Sequence, residues 1–403
     1  MTHPNHERSS QKSEVKPVNA TQQRSKNAPE GERRHGRSRL TSGQMPRWGE
    51  PVIGLISLIL GAAIVALIGF NIAGWLCVSA IIFLIVDFFA VLLVENRRQA
   101  SNVLARNLIV GAFLIALVPL VSVIWTVVSN GSKAVIAPGF FASDMQGQIA
   151  IADIAHEREG GPLIGGIKHA LIGTLLITLA ATVISVPIGL LTSIYLVEYA
   201  RDNWLSKVIR FFVDVMTGIP SIVAGLFAAG ISAYVMLDVF QMRPGSQLIG
   251  FSASIGLSVL MIPVVVRSTE EMLRVVPNEL REASAALGVR KWRTIMKVVL
   301  PTALSGIASG VTIAIARVIG ETAPILVTAG TASVVNFNLF KDWMMALPVF
   351  IYRQLNYPAA PAAQDASTLR AWGAALVLII IVMLLNLIAR IIAKLFAPKQ
   401  AGR

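Results

Sequence analysis

A chain of 403 residues that is 55% hydrophobic and only 14% charged, with mean hydropathy +0.68, lies outside the range of soluble globular domains and inside that of polytopic membrane proteins. A net charge of +13 would suggest nucleic acid on a soluble protein; on a membrane chain the excess of cytoplasmic Lys and Arg is the first explanation, and no nucleic-acid partner is expected. One cysteine, Cys77, excludes an intrachain disulfide, and five histidines without ligand spacing give no metal site.

Residues 1–50 are polar, rich in Ser, Asn, Gln and Arg, and have no apolar core region. They read as a disordered basic cytoplasmic tail beside anionic membrane lipid, neither a cleavable signal nor a folded domain. A bilayer crossing needs about 20 apolar residues. Pro51 to Val86 carries no charge and is too long for one crossing; Gly69 to Gly74 supplies a break. Residues 51–107 are therefore expected to form a transmembrane hairpin, Pro51–Phe70 and Ala73–Val94, with a linker. Asp87 lies within that hairpin and is expected near its cytoplasmic interface.

Six further crossings are expected between residues 108 and 396: Leu108–Val128, Ala170–Leu196, Phe211–Leu237, Leu248–Val266, Thr302–Ala329 and Ala371–Ala389. Residues 397–403 form a short cytoplasmic tail. The total is eight, an all-α polytopic membrane protein with both termini on one side. With the N-terminus inside, the cytoplasmic segments hold 27 of the 35 Lys and Arg and the external segments 7; the remaining one, Arg317, lies in a crossing. No internal repeat is visible. The external stretch Asn130–Lys168 is too short and irregular for a binding domain, and His156 and His169 look incidental.

Three places stand out. Gly218, Pro220 and Ser221 fall inside the crossing Phe211–Leu237, where a break would expose backbone to a path or merely kink the helix. Residues 268–301 form a charged loop between two apolar crossings. In it Glu282-Ala283-Ser284 is followed after three residues by Gly288, and after nine more by Val298-Val299-Leu300-Pro301. Small side chains at Ala283, Ser284 and Ala286 suit close backbone approach, and Gly288 suits the positive φ that ends a short helix. The third place is the crossing after the loop, where Arg317 and Glu321 at i and i+4 are expected on one helix face, with Gly320 and Pro324 able to loosen the helix beside it. An unpaired charge near the bilayer centre costs roughly 2.5–3.5 kcal/mol on insertion scales, so that face should turn toward protein or water. Arg suits an oxyanion because its planar fork binds bidentately; a structural ion pair joining helices is the alternative. Arg267, near the cytoplasmic end of its crossing, is a weaker candidate that can simply snorkel.

The loop resembles the cytoplasmic EAA loop of ABC importer permeases, with Ser for the second Ala and Val for Ile. Residues Ala316 to Pro324, reading Ala-Arg-Val-Ile-Gly-Glu-Thr-Ala-Pro, resemble phosphate-specific permeases, particularly the PstA type. Thr217 to Gly225, Pro263 to Glu270, and Val276-Pro277 leading into Leu280-Arg281-Glu282-Ala283 are similar to the same family. The resemblance covers about residues 106–394 and implies that the last six crossings form a type I ABC importer permease core. It implies an ATP-driven inorganic phosphate importer in which Glu282, Ala283, Ser284 and Gly288 couple to an ATPase dimer, and Arg317, Glu321 and Arg267 lie on the anion path. It also implies a second permease and an extracytoplasmic phosphate-binding protein as partners. No P-loop is present, so ATP and Mg are expected on the ATPase partner and no cofactor or enzymatic activity in this chain. The hairpin and tail have no counterpart in that core. Transport of molybdate or sulfate, a proton-linked secondary carrier built on Arg317 and Glu321, and a scaffold for a phosphate-sensing kinase remain as rival readings.

Overall fold

The computed structural model describes residues 45–46, 48–148, 150–200 and 203–395. Most of the basic tail (residues 1–44) and residues 396–403 lie outside the described residues. Two compact units divide the chain, one running to Ala116 and the other from Leu117. Among the described residues there is no strand, and eight helical stretches are long and apolar enough to cross a membrane.

The first unit is a helical hairpin, α1 (Gly49–Ile68) and α2 (Ile72–Val94), followed by the start of α3 (Arg97–Ile136). The turn needs Gly69, whose φ of 123° suits a residue without Cβ, and Asn71, whose side chain accepts the Ala73 N–H at 2.9 Å and caps α2. Gly61 packs against Ser79 so closely that a Cβ would meet the serine hydroxyl. Asp87 is fully buried and accepts a hydrogen bond from Asn107 Nδ2 at 2.7 Å, while Arg106 reaches Glu50 at 2.6 Å. The burial of Asp87 is against neighbouring helices and does not move it away from the charged end of the hairpin, where Glu50 and Arg106 lie within electrostatic reach. A carboxylate in an apolar helix needs a donor, and α3 supplies one.

The second unit contains the rest of α3, then α4 (Ala150–Glu159), α5 (Lys168–Ile194, continued by a π turn Tyr195–Tyr199), α6 (Trp204–Thr217) and α7 (Ser221–Ala233, continued by a π turn to Val239). There follow α8 (Gly250–Val275), α9 (Asn278–Ala286), α10 (Lys291–Thr294, joined by a π turn to the next), α11 (Leu300–Val318), α12 (Ala323–Thr328), α13 (Leu347–Asn356) and α14 (Gln364–Leu395). Its core is α8, which runs parallel to α5. Ser254, Ser258 and Ser193 hydroxyls donate to the carbonyls of Ile177, Ala181 and Val266 at 3.2, 3.4 and 2.9 Å. A Cβ at Gly189 would strike Val265. Small side chains and hydroxyl bridges are how helices adhere where lipid removes the hydrophobic drive between them. α11 packs antiparallel on α8, with Gly306 against Met272 and Gly310 against Ser268.

Two expected crossings are broken. Phe211–Leu237 is not one helix: α6 ends at Thr217, and α7 starts at Ser221 after Gly218-Ile219-Pro220. Pro220 forces this, because it lacks an N–H and disfavours helical φ/ψ in the residue before it. α6 is amphipathic, with exposed Trp204, Leu205, Phe211, Phe212 and Val215 and a polar side carrying Arg210 and Asp214. It reads as a helix lying along an interface. Thr302–Ala329 is likewise two pieces, α11 and α12, separated at residues 319–322.

Candidate functional site

The break between α11 and α12 holds the charges. Arg317 is in the last turn of α11, and Glu321 lies beyond the helix end, its N–H bonded to the Val318 carbonyl at 3.1 Å. The expected i, i+4 face therefore does not exist. Gly320 and Pro324 stop the ladder between the two residues, and their side chains make no ion pair or hydrogen bond among the described residues. Arg317 is exposed, and Glu321 half-buried. The register of Gly306 and Gly310 against Met272 and Ser268, extended one residue per residue, puts Arg317 at about the depth of Met261, near the middle of α8. A guanidinium at mid-helix depth, unpaired and on the surface of this chain, cannot face lipid cheaply. It needs water, an anion or a neighbouring subunit.

Behind the break, α12 packs on α7. Gly225 approaches Pro324 so closely that a Cβ would lie 2.5 Å from its Cα. The segment around Gly218, Pro220 and Ser221 is thus the elbow that starts the helix supporting α12. Gly218 has φ −92°, so it is required there by no left-handed backbone.

Arg267 has a different environment from Arg317. It bonds Asp214 of α6 at 2.5 Å, and beside it Glu270 holds Arg274 at 2.6 Å and Arg210 at 3.1 Å. These residues pin the amphipathic α6 to α8, and Arg267 is neutralised by that role.

The charged loop forms an α9–turn–α10 unit. Gly288 adopts φ +69°, and its N–H bonds the Ala285 carbonyl at 2.9 Å, closing α9. Glu282, Ala283 and Ala286 are exposed, alongside Leu287 (82% exposed) and Trp292. Ser284 does not belong with them. It is buried, and its hydroxyl pairs with the Thr294 hydroxyl at 2.7 Å, tying α9 to α10. Its small side chain thus serves close approach of α9 to α10 in this structure, while Glu282 and Ala283 are presented outward.

Sequence reasoning missed what anchors this unit. Arg281 donates to Glu198 from both Nε and Nη2, at 3.0 and 2.9 Å, and to the carbonyls of Val276 and Leu273 at 2.6 and 2.8 Å. The Glu198 side chain is only 6% exposed; Lys291 bonds its carbonyl and lies over the Tyr199 ring. Glu198 lies at the end of α5, so the loop is bolted to a helix long enough to cross a membrane. At the opposite end of α5, Arg370 of α14 is 0% exposed and grips Asp153 of α4 bidentately, at 2.9 and 2.5 Å. It also donates to the Ile164 carbonyl at 2.9 Å. The partners are 83 and 217 residues apart, and the only local signal was a lone charge at the edge of an apolar run.

Residues 185–402 match the model of the binding-protein-dependent transport system inner membrane component family, more than half of the chain. The chain belongs to this family. It is a multi-pass transport permease subunit. Similar proteins include the phosphate transport system permease protein PstA 1 of Mycobacterium tuberculosis (strain CDC 1551 / Oshkosh), 43% identical over 296 residues, covering 73% of this chain and 90% of that protein. PstA of Mycobacterium leprae is 43% identical over 294 residues, with 73% and 89% covered. PstA of Yersinia pestis is 40% identical over 236, with 59% and 74% covered. An inward-facing form of the MetNI methionine ABC transporter aligns with TM-score 0.43 and 23% identity over 58% of this chain and 95% of that one, a likeness too slight to argue from.

Proposed function

We propose that this permease carries inorganic phosphate through the membrane as part of an ATP-driven importer. The reading is carried by one observation: relatives named phosphate permeases are 43% identical across nine-tenths of their length. The unpaired Arg317 at a helix break gives that reading its chemistry. An anion crossing the membrane needs a fixed positive charge that is not already spent, and a bidentate donor suits a tetrahedral oxyanion. Glu321, close in sequence but unpaired with it, keeps the local field from holding the anion too tightly. The exposed face of α9 and the turn at Gly288 dock on an ATPase dimer that supplies ATP and Mg, and Glu282, Ala283 and Leu287 provide the contact. A second permease closes the path on the Arg317 side, and an extracytoplasmic binding protein delivers phosphate. Both termini and the α9 loop face the cytoplasm, in keeping with the 27-to-7 distribution of Lys and Arg. ATPase closure shifts the equilibrium between outward- and inward-open forms through differential docking of α9.

The test is ATP-dependent phosphate uptake in vesicles containing the chain with its permease and ATPase partners. Vanadate-sensitive phosphate uptake is expected. Uptake of molybdate or sulfate in its place would reassign the cargo, and uptake abolished by uncouplers but indifferent to ATP would replace the importer with a secondary carrier.

A further inference from the structure

At the end of α5 opposite to Glu198, a cavity of about 170 Å³ opens between the start of α5, the residue 331–333 loop, α13 and the start of α14. Its lining includes His169, Arg353, Gln354, Ser367 and Arg370. Three features set it apart from an ordinary surface dent. His169 is 2% exposed, and both ring nitrogens lack a hydrogen-bond partner. Buried polar groups in folded proteins are nearly always satisfied, so a ring with two orphan nitrogens on a cavity wall calls for a partner that the chain does not supply. Phe350, edge-on to the ring at 5.4 Å, fixes the imidazole without satisfying it. Second, the Arg353 guanidinium has no ion-pair or hydrogen-bond partner among the described residues. Third, the acid that would otherwise neutralise the cavity is already occupied: Asp153 is gripped by Arg370. Asp144, the other acid in electrostatic reach of His169, receives the Gln146 N–H.

We propose that this cavity is an oxyanion-binding subsite at the outer mouth of the permease, with Arg353 and His169 as its donors and the Gln354 side chain beside them. It rests on the phosphate reading above and adds a site that no motif marks. The free guanidinium offers a fork for two anion oxygens, and the imidazole offers an N–H to a third. The cavity, about 170 Å³, has room for a small ion and not for a segment of protein. The subsite is separate from Arg317, which lies at the middle depth of α8. An anion released at this face would first be held here and then pass inward, which raises its local concentration ahead of the path.

The experiment places a single cysteine at the rim, Ala359→Cys in a Cys77→Ala background, in membrane vesicles containing the full chain. The rate of alkylation by an impermeant thiol reagent is followed as phosphate replaces chloride at matched ionic strength. Phosphate is expected to slow alkylation. Arg353→Gln, an exposed substitution that leaves packing alone, and His169→Asn are each expected to weaken that protection about tenfold, the effect of losing one hydrogen bond to a charged group. Arg317→Gln is expected to leave it unchanged. No slowing beyond chloride by phosphate, sulfate or molybdate, or full protection in Arg353→Gln, overturns the subsite. Full anion protection in Arg353→Gln with lost capture of the binding protein would make Arg353 a protein contact and overturns it as well. Protection by sulfate or molybdate but not phosphate would support the cavity as an oxyanion site while overturning phosphate as the cargo.

Discussion

Arg370 and Arg317 are both arginines in long apolar helices, and their surroundings are opposites. Arg370 is completely enclosed, with its donors spent on Asp153 and the Ile164 carbonyl. Arg317 stands at the end of α11 with no ion-pair or hydrogen-bond partner for its side chain among the described residues. The first ties a ten-residue helix, α4, to α14 and holds the far end of the permease together. The second is left open at a point where the helix itself stops. The difference teaches that position in an apolar run says only that a charge is expensive, while saturation of its donors says whether it holds structure or awaits a ligand. Arg281 is intermediate: partly exposed, with Glu198 and two carbonyls satisfying most of its fork, it fixes the α9 loop to the end of α5.

The largest effect should come from Arg370→Leu. It strands the buried Asp153 carboxylate, and breaking such a pair costs about 3–5 kcal/mol. Thermal unfolding of the purified chain should fall sharply, and Arg370→Leu/Asp153→Leu should regain most of the loss. A well-folded Arg370→Leu protein lacking only uptake would reverse the contrast between the two arginines.

Arg317→Gln should give the complementary pattern: unchanged assembly and melting, with uptake reduced by at least about tenfold, as expected for losing one charge-assisted contact. Because Glu321 is not its ion-pair partner, adding Glu321→Gln should not restore transport. Recovery of uptake in that double variant would mean that the two residues pair in a working state and would make Arg317 structural after all.

Arg281→Met tests the intermediate case. Losing charge-assisted bonds of this kind costs about 1.5–3 kcal/mol. The chain should still insert, while recovery of the ATPase in pull-downs drops because α9 is no longer held against Glu198. Undiminished recovery would show that the clamp does not orient the loop.

Smaller still is Gly288→Val. Open space surrounds the missing Cβ, so no clash is expected; the cost is the left-handed backbone at φ +69°, about 1–2 kcal/mol. ATPase association should weaken mildly in a titration, and Gly288→Asn, which tolerates that conformation, should retain it. Equal loss in both variants would place a partner atom against this position instead of a backbone requirement.

The sequence by itself determined that this is a membrane chain, that eight helices are long and apolar enough to cross, and that a charged loop with a glycine stop lies between two of them. Those properties depend on composition and on neighbours a few residues apart. It also marked Pro220 and the Gly320–Pro324 run as weak points, but not whether each would kink a helix or end it, since that depends on which backbone groups the surrounding helices can satisfy. Which face Ser284 takes, that Arg317 and Glu321 do not share a helix, and that Glu198, Asp153 and His169 matter were decided only by tertiary structure. Each depends on groups brought together across long stretches of chain, 83 residues for Glu198 with Arg281 and 217 for Asp153 with Arg370. Whether a donor is satisfied or left open depends on the packing of several helices at once.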